Sequence, residues 1–316
     1  MTWPDLGRHA GRGPLSHVVS LDAARPGPHV VIAALTHGNE LCGAVALCRL
    51  IDAGLRPERG RLSLAFVNMA AYETFDPAQP FAARYLDEDL NRLWSDAVLD
   101  QPARSREHAR AQALRPLIAQ ADALLDLHST SLASPPMLLC GRTAKARRLA
   151  RTFGFPGDVI ADGGHAAGPR LIEYGAFARE DASPVAILVE CGQHLAPSSA
   201  DIAEGMGLRF LLAVGTLNRL PASARPLPPP APQRLLQVTD VVTIASPGFS
   251  FVRAFESLER VPRAGTVIAY DGGAPITTPY DDAILVMPTL APVPGETAVR
   301  LAREVPFPET DRRDAD

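Results

Sequence analysis

Short runs of β-branched and apolar residues alternate along the chain with segments in which apolar residues recur every three or four positions. "HVVIAAL" (29–35) reads as a buried strand, and "ELCGAVALCRLIDAG" (40–54) as the helix after it, with Gly54 as its cap. "RLSLAFVNM" (61–69) predicts a strand and "SREHARAQALRPLIAQA" (105–121) a helix. Strands follow at "DALLDLHS" (122–129) and "PPMLLCG" (135–141), then a helix at "TAKARRLARTFG" (143–154). "VAILVECG" (185–192) predicts a strand and "SADIAEGMGLRFLLAVGTLNRL" (199–220) a long helix. Alternating strands and helices imply an α/β layer around a parallel or mixed sheet.

The texture changes at "PASARPLPPPAP" (221–232), where six of twelve residues are proline. Such a segment builds neither a packed helix nor a central strand. Short strand-like runs with Gly and Pro turns come after it: "RLLQVTDVVTI", "GTVIAYDGG" and "DDAILVMP". The expected organisation is an α/β catalytic unit at 1–220, a linker at 221–232 and a β-rich unit at 233–316.

Composition narrows the function. The chain has 316 residues, 47% of them hydrophobic, which is ample for a large core. A formal net charge of −4 gives no reason to expect nucleic acid or an anionic membrane as partner. The opening "MTWPDLGRHAGRG" lacks an apolar core and reads as no secretory leader. No apolar run is long enough for a membrane span. Cys42, Cys48, Cys140 and Cys191 are scattered without a C-x-x-C pair, so reduced thiols and a cytoplasmic location are expected.

Four stretches carry candidate chemistry. In "LTHGNE", His37 and Glu40 lie at the carboxyl end of a strand and the start of a helix, where open α/β sheets bind ligands. Spaced by three, they supply two metal ligands or belong to a polar loop. In "LLDLHST", His128 ends another strand, and Asp126, two residues back, shares its face and can orient its ring. A His37, Glu40 and His128 set leaves a fourth position open, the arrangement of a catalytic zinc. Glu190 ends the apolar run in "VAILVECGQH", where a carboxylate is either salt-bridged or a proton carrier. In "ARYLDEDLNRLW", Arg84 and Arg92 can each neutralise an oxyanion or carboxylate, with Asn91 as a neutral donor, unless the stretch is a solvated loop.

"HGNE", "RYLDEDLNR", "DLHST" and "LVECG", in this order, resemble the succinylglutamate desuccinylase/aspartoacylase family of zinc-carboxypeptidase-like amidohydrolases. The likeness runs from about residue 30 to 195 and more loosely beyond. It implies a mixed sheet flanked by helices with a smaller C-terminal β-rich domain. It also implies one zinc per chain on His37, Glu40 and His128, a general base at Glu190, and a carbonyl-polarising Arg84. Asn91 and Arg92 would hold the substrate carboxylate. The aspartoacylase branch reads its substrate with an arginine and tyrosines ahead of the catalytic Glu. "RLIEYGAFARED" offers Arg170, Tyr174 and Arg179 for this, with Tyr174 and Arg179 as the expected substrate contacts, although the spacing to Glu190 departs from the family pattern. The tyrosine expected from the C-terminal domain is absent from "PVPGETAV", and Tyr270 and Tyr280 lie elsewhere.

The expected activity is therefore zinc-dependent cleavage of an N-acyl amino acid or a similar small amide. A metallo-exopeptidase or isopeptidase acting on dipeptides is the alternative, and a catalytically idle binding module a third. The expected partner is the small-molecule substrate, with no nucleic acid and no membrane, and assembly into a homo-oligomer stays open. His165, in the glycine-rich "ADGGHAAGPR", reads as a mobile surface histidine, with pocket lining as the less favoured alternative, and contact with the rim of the site is likewise the less favoured reading of His194.

Overall fold

The computed structural model describes residues 4–11, 15–222, 224–226 and 228–308. In chain order the elements are β1 (Val18–Asp22), β2 (His29–Ala34), α1 (Leu41–Asp52), β3 (Arg61–Phe66), α2 (Met69–Tyr72), α3 (Asp96–Leu99), α4 (Arg106–Ala119), β4 (Ala123–Thr130), β5 (Met137–Cys140) and α5 (Ala144–Thr152). They continue with β6 (Asp158–Ala161), β7 (Val185–Gln193), α6 (Pro197–Ala213), β8 (Arg234–Thr243), β9 (Ser250–Phe251), β10 (Glu259–Val261), β11 (Val267–Asp271), β12 (Ala274–Thr277), β13 (Ala283–Val286) and β14 (Thr297–Val305). No helix of the described residues is long and apolar enough to cross a membrane.

One mixed sheet of 11 strands runs in the order β1-β3-β2-β4-β7-β5-β6-β8-β14-β13-β10, and β12-β11-β9 form a small second sheet. The fold is the expected α/β class with an added C-terminal antiparallel part. The proline-rich stretch delivers β8 alongside β6, to which it pairs in parallel, so the hydrogen-bonded ladder continues from the α/β part into the C-terminal strands.

Side-chain alternation sorts the core onto the two faces of the sheet. On β2, Val30, Ile32 and Ala34 face one way and Val31 and Ala33 the other. Leu125 and Leu127 on β4, and Ile187 and Val189 on β7, join the first face, which α1, α5 and α6 cover. Leu124, Ala186 and Leu188 join the second, covered by α4 through Ala111, Leu114 and Ile118. The same alternation puts Asp126, His128 and Glu190 on that second face.

Three differences from the sequence expectations have local causes. Helix α6 stops at Ala213 instead of continuing to Leu220. Gly215 adopts φ +72°, and the amides of Gly215 and Thr216 bond back to the carbonyls of Leu212 and Leu211, which closes the helix end. Strand β14 escapes the apolar-run reading because Arg300 occupies an inward position between Val299 and Leu301. Strand β1 is short and pairs only with β3 at the sheet edge, where a weak apolar signal is enough.

Candidate active site

Four chain segments converge where β2 and β4 end. Strand β2 lies between β3 and β4, so the chain leaves it in one direction and later returns on the other side. Such a switch leaves a crevice at the carboxyl ends of the strands. The chain exits β2 through Leu35, held at φ +58°, and passes His37 before α1 begins at Leu41 with Glu40 as its N-cap. Gly38 is needed here for space. A Cβ on it would lie 2.4 Å from the backbone nitrogen of Tyr72 and 2.5 Å from the carbonyl carbon of Ala71.

His37, Glu40 and His128 are all buried, and one ligand atom from each lies within 4.8 Å of the others. Glu40 Oε1 sits 2.7 Å from His37 Nδ1, and Glu40 Oε2 sits 2.9 Å from His128 Nδ1. The opposite ring nitrogens are each held by another carboxylate. His37 Nε2 is 3.0 Å from Asp89 Oδ1, and His128 Nε2 is 2.7 Å from Asp126 Oδ2. Thr36 donates to the other oxygen of Asp126 at 2.8 Å, which fixes that carboxylate in turn. Each imidazole is thus oriented from behind, with Nδ1 turned to the shared centre.

The charges follow this geometry. Burial alone would raise the Glu40 carboxyl, but facing His37 and His128 it is held well below the carboxylate range. Burial would likewise depress His128, yet Asp126 and Glu40 hold it well above the usual histidine value. Asp89 is kept ionised against its burial by His37 and Arg84.

Glu190 is the exception. It lines the same cavity, and its Oε2 is buried with no hydrogen-bond partner. Burial first, and then the nearby Glu40 charge, push its pKa up to about 8. The salt bridge that would make it a structural residue is missing among the described residues.

Arg84 stands over the cluster, with Nη1 3.5 Å from Glu40 Oε1 and Nη2 3.1 Å from Asp89 Oδ2. Arg92 lies 3.6 Å from the same Asp89 oxygen. Burial lowers the Arg92 pKa to about 10; Asp89 opposes this, and Arg84, Arg300 and Arg170 add to it. It is a cation short of counter-charge. Asn91 is buried beside it, but its Oδ1 accepts from the Leu171 amide at 2.7 Å, so the amide fastens the loop while lining the cavity. Buried Glu107 on α4 holds the other end of that loop by accepting from the amides of Leu86 and Asp87.

The two remaining expected substrate contacts are placed elsewhere. Tyr174 is bound to Arg115 and Asp96 at 2.8 and 2.9 Å and stacks edge-on against Trp94. Arg179 is exposed and forks onto Asp181. Neither lines the cavity, because the 3₁₀ turns at Leu171–Glu173 and Gly175–Ala178 carry both side chains away from it. Tyr270 and Tyr280 do not line it either. Arg170, from the same stretch, does, and pairs with Asp162 and Glu173.

His165 takes the less favoured of its two sequence readings. It is part-buried, lines the cavity and contacts Arg300. His194 is buried and lines the cavity, bonded to Ser129 and next to Phe81. Asp89, Asp162 and Arg300 are further charged residues that line or brace the cavity. Only the crowding of polar residues in "DEDLNR" hinted at the first, and nothing local marked the other two.

The cavity measures about 570 Å³, a volume that suits a small molecule. Fold and site together define an α/β protein with a His/Glu/His cluster and an unpaired buried carboxylate at the mouth of its sheet. Residues 26–210 match the succinylglutamate desuccinylase/aspartoacylase catalytic domain, and the chain belongs to that family of deacylases. A succinylglutamate desuccinylase of Burkholderia cenocepacia is 28% identical over 288 residues, spanning 84% of this chain and 78% of the relative. Two solved structures share the fold. A succinylglutamate desuccinylase from Vibrio cholerae has a TM-score of 0.68 at 19% identity, covering 94% of this chain and 88% of that one. An aspartoacylase family protein from Mesorhizobium loti has a TM-score of 0.63 at 21% identity, covering 92% and 90%.

Proposed function

We propose that the protein is a zinc-dependent hydrolase that cleaves the amide bond of an N-acyl amino acid or a related small amide bearing a carboxylate. The observation that carries this reading is the meeting of three buried ligand atoms from His37, Glu40 and His128 with the unpaired Glu190 carboxyl in one cavity.

The donor set fits zinc. Two imidazole nitrogens and one carboxylate, each imidazole backed by an aspartate, leave one side open to the cavity. When bound, zinc polarises the scissile carbonyl as a Lewis acid and acidifies water. Glu190 accepts the proton of the attacking water. Oxygen adds to the carbonyl carbon, the carbon–nitrogen bond breaks, and the same proton passes to the departing nitrogen. A pKa near neutrality suits a group that must both take and return a proton. Arg84 offsets charge on the tetrahedral oxygen. Arg92, short of counter-charge, takes a carboxylate of the substrate, and Asn91 holds the loop that positions it. Four buried free thiols suit a reducing compartment, and we place the enzyme in the cytoplasm.

The test is a panel of N-acetyl, N-succinyl and N-formyl amino acids and β-aspartyl dipeptides, assayed with and without chelator. Zinc-restored release of a free amine from an acyl amino acid is the expected result. Turnover of dipeptides alone would make the protein an exopeptidase, and no turnover of any member would remove the hydrolase reading.

A further inference from the structure

Phe81, Leu290 and Val293 are 56%, 63% and 47% exposed, and all three line the cavity that holds the His/Glu/His cluster. They are three of the seven large apolar side chains left exposed among the described residues. Single exposed apolar residues are ordinary on a protein surface, but a group gathered at the mouth of one cavity marks a place that a ligand covers. Three chain segments supply this group. Phe81 comes from the loop before Arg84, part-buried Leu132 from the turn after β4, and Leu290 and Val293 from the loop between β13 and β14. The last loop is tied down, since the Thr289 amide donates to the Ala298 carbonyl and the Gly295 amide to the Ile244 carbonyl, both at 2.8 Å. Its apolar side chains are thus presented from a hydrogen-bonded backbone.

The interior of the same cavity is charged, and the two characters fall against different members of the cluster. Asp89 binds His37 and draws Arg84 and Arg92 to that side. Phe81 lies 6.2 Å from the ring of His194, which is bonded to Ser129, and the Ser129 amide donates to Glu40 Oε2 at 3.1 Å. A bound molecule therefore meets cations on the His37 side and an apolar surface on the side of Ser129, with the reacting carbonyl between them. In an N-acyl amino acid the carboxylate and the side chain share one carbon on the nitrogen side of the amide, and only the acyl chain starts from the carbonyl carbon. The cavity of about 570 Å³ falls in the range of drug-sized ligands, and a short acyl group would leave its mouth wet.

We infer that the mouth formed by Phe81, Leu132, Leu290 and Val293 is a subsite for a long apolar acyl chain, so that the preferred substrate is an amphipathic N-acyl amino acid with its carboxylate on Arg92. The inference rests on the amide-hydrolase reading and deepens it. Each methylene that leaves water for this surface adds to affinity, so the gain grows with chain length until the mouth is covered.

The test is calorimetric binding to the Glu190→Gln protein, which holds the amide intact. The probes are N-acetylalanine, N-butanoylalanine, N-octanoylalanine and N-acetylphenylalanine. Affinity should rise along the first three, with N-octanoylalanine binding at least about tenfold more tightly than N-acetylalanine. Adding Leu290→Ser with Val293→Ser, or Phe81→Ser, should reduce that ratio several-fold, and exposed positions such as these tolerate the change without loss of fold. Equal binding of the three chain lengths overturns the proposal, and so does a ratio that survives both sets of substitutions, which would mark unspecific binding of the chain. A gain for N-acetylphenylalanine without one for N-octanoylalanine also overturns it, because the apolar group would then belong to the amino acid. Light scattering of wild type and of the Leu290→Ser, Val293→Ser protein should give the same mass. A wild-type dimer that these substitutions split would show that a second copy of the chain covers the mouth, against the proposal. The binding comparison needs no turnover. A chain-length preference without hydrolysis would uphold this subsite and remove the hydrolase reading, and hydrolysis without the preference would do the reverse.

Discussion

His128 and Glu190 stand opposite one another in the parallel ladder between β4 and β7, and both side chains leave the sheet on the same face. Adjacent strands are about 4.8 Å apart, so backbone hydrogen bonds fix the separation of the candidate ligand and the candidate base. No loop has to close to bring them together. His37 and Glu40 add to this pair from the end of β2, which is the other neighbour of β4. A site built on strand ends is stiff, and single changes in it should have separable effects.

The first expected outcome concerns the metal. Wild type should retain close to one zinc per chain after dialysis, and His128→Ala should lose most of it, because one of three ligands and the contact with Glu40 go together. Elemental analysis of folded protein is the measurement. Full zinc in the variant would strike His128 from the ligand set.

Chemistry should separate from binding at Glu190. Glu190→Gln is isosteric and should keep zinc and fold while kcat falls by several orders of magnitude. Arg84→Ala should cost roughly 10²–10³-fold in kcat, the usual loss for one donor to an oxyanion. Near-normal turnover by the glutamine variant would send the search for the base elsewhere.

Glu190 also sets a pH dependence of stability in the metal-free protein. Burial raises its pKa from 4.5 to about 8 in the folded chain. A carboxyl with a raised folded pKa holds its proton more tightly when folded, so its contribution is present at low pH and is lost as pH rises through that window. Metal-free wild type should therefore lose stability relative to metal-free Glu190→Gln between about pH 5 and 8, by on the order of a few kcal/mol. Urea unfolding of both proteins across that range is the check, and parallel curves would contradict it.

Gly38→Ala should be destabilising out of proportion to one methyl group. The new carbon would meet backbone atoms of α2 at 2.4–2.5 Å, and those atoms are not the movable tip of a side chain. A loss of about 1–3 kcal/mol, typical of overpacking, is expected, with weakened zinc retention because His37 moves with the turn. A wild-type melting temperature in the variant would refute the close-packing argument.

Arg92→Lys tests the carboxylate site. A fork left without its partner is costly, so wild type should prefer a free acid over the matching carboxamide by at least about 10²-fold in kcat/KM. Lysine presents a point charge, and the variant should lose most activity and discriminate less. Equal turnover of acid and amide by wild type would remove Arg92 from substrate recognition.

Much of this was legible along the chain. The runs leading to His37 and Glu190 are apolar, and the one leading to His128 is interrupted only by Asp126, because a sheet covered on both faces admits few polar positions before its end. Polar residues close behind such a run mark the mouth of the sheet. The period of two also links Asp126 to His128 along the strand, and the two are hydrogen-bonded. Tyr174 and Arg179 show the limit. They flank two short 3₁₀ turns, Tyr174 between them and Arg179 after the second, where side-chain direction depends on small backbone rotations and not on a fixed period.

What the sequence by itself determined is therefore the α/β class, the strand ends and the residues that emerge there, since these follow from local periodicity and burial. What only the tertiary structure decided is which distant segments meet. Asp89 bridges His37 and Arg84 across a loop, and Arg300 reaches the cavity on a strand that pairs with β8 and β13. Those contacts arise from sheet order and loop closure over long sequence separations, and no local pattern of polar and apolar residues encodes them.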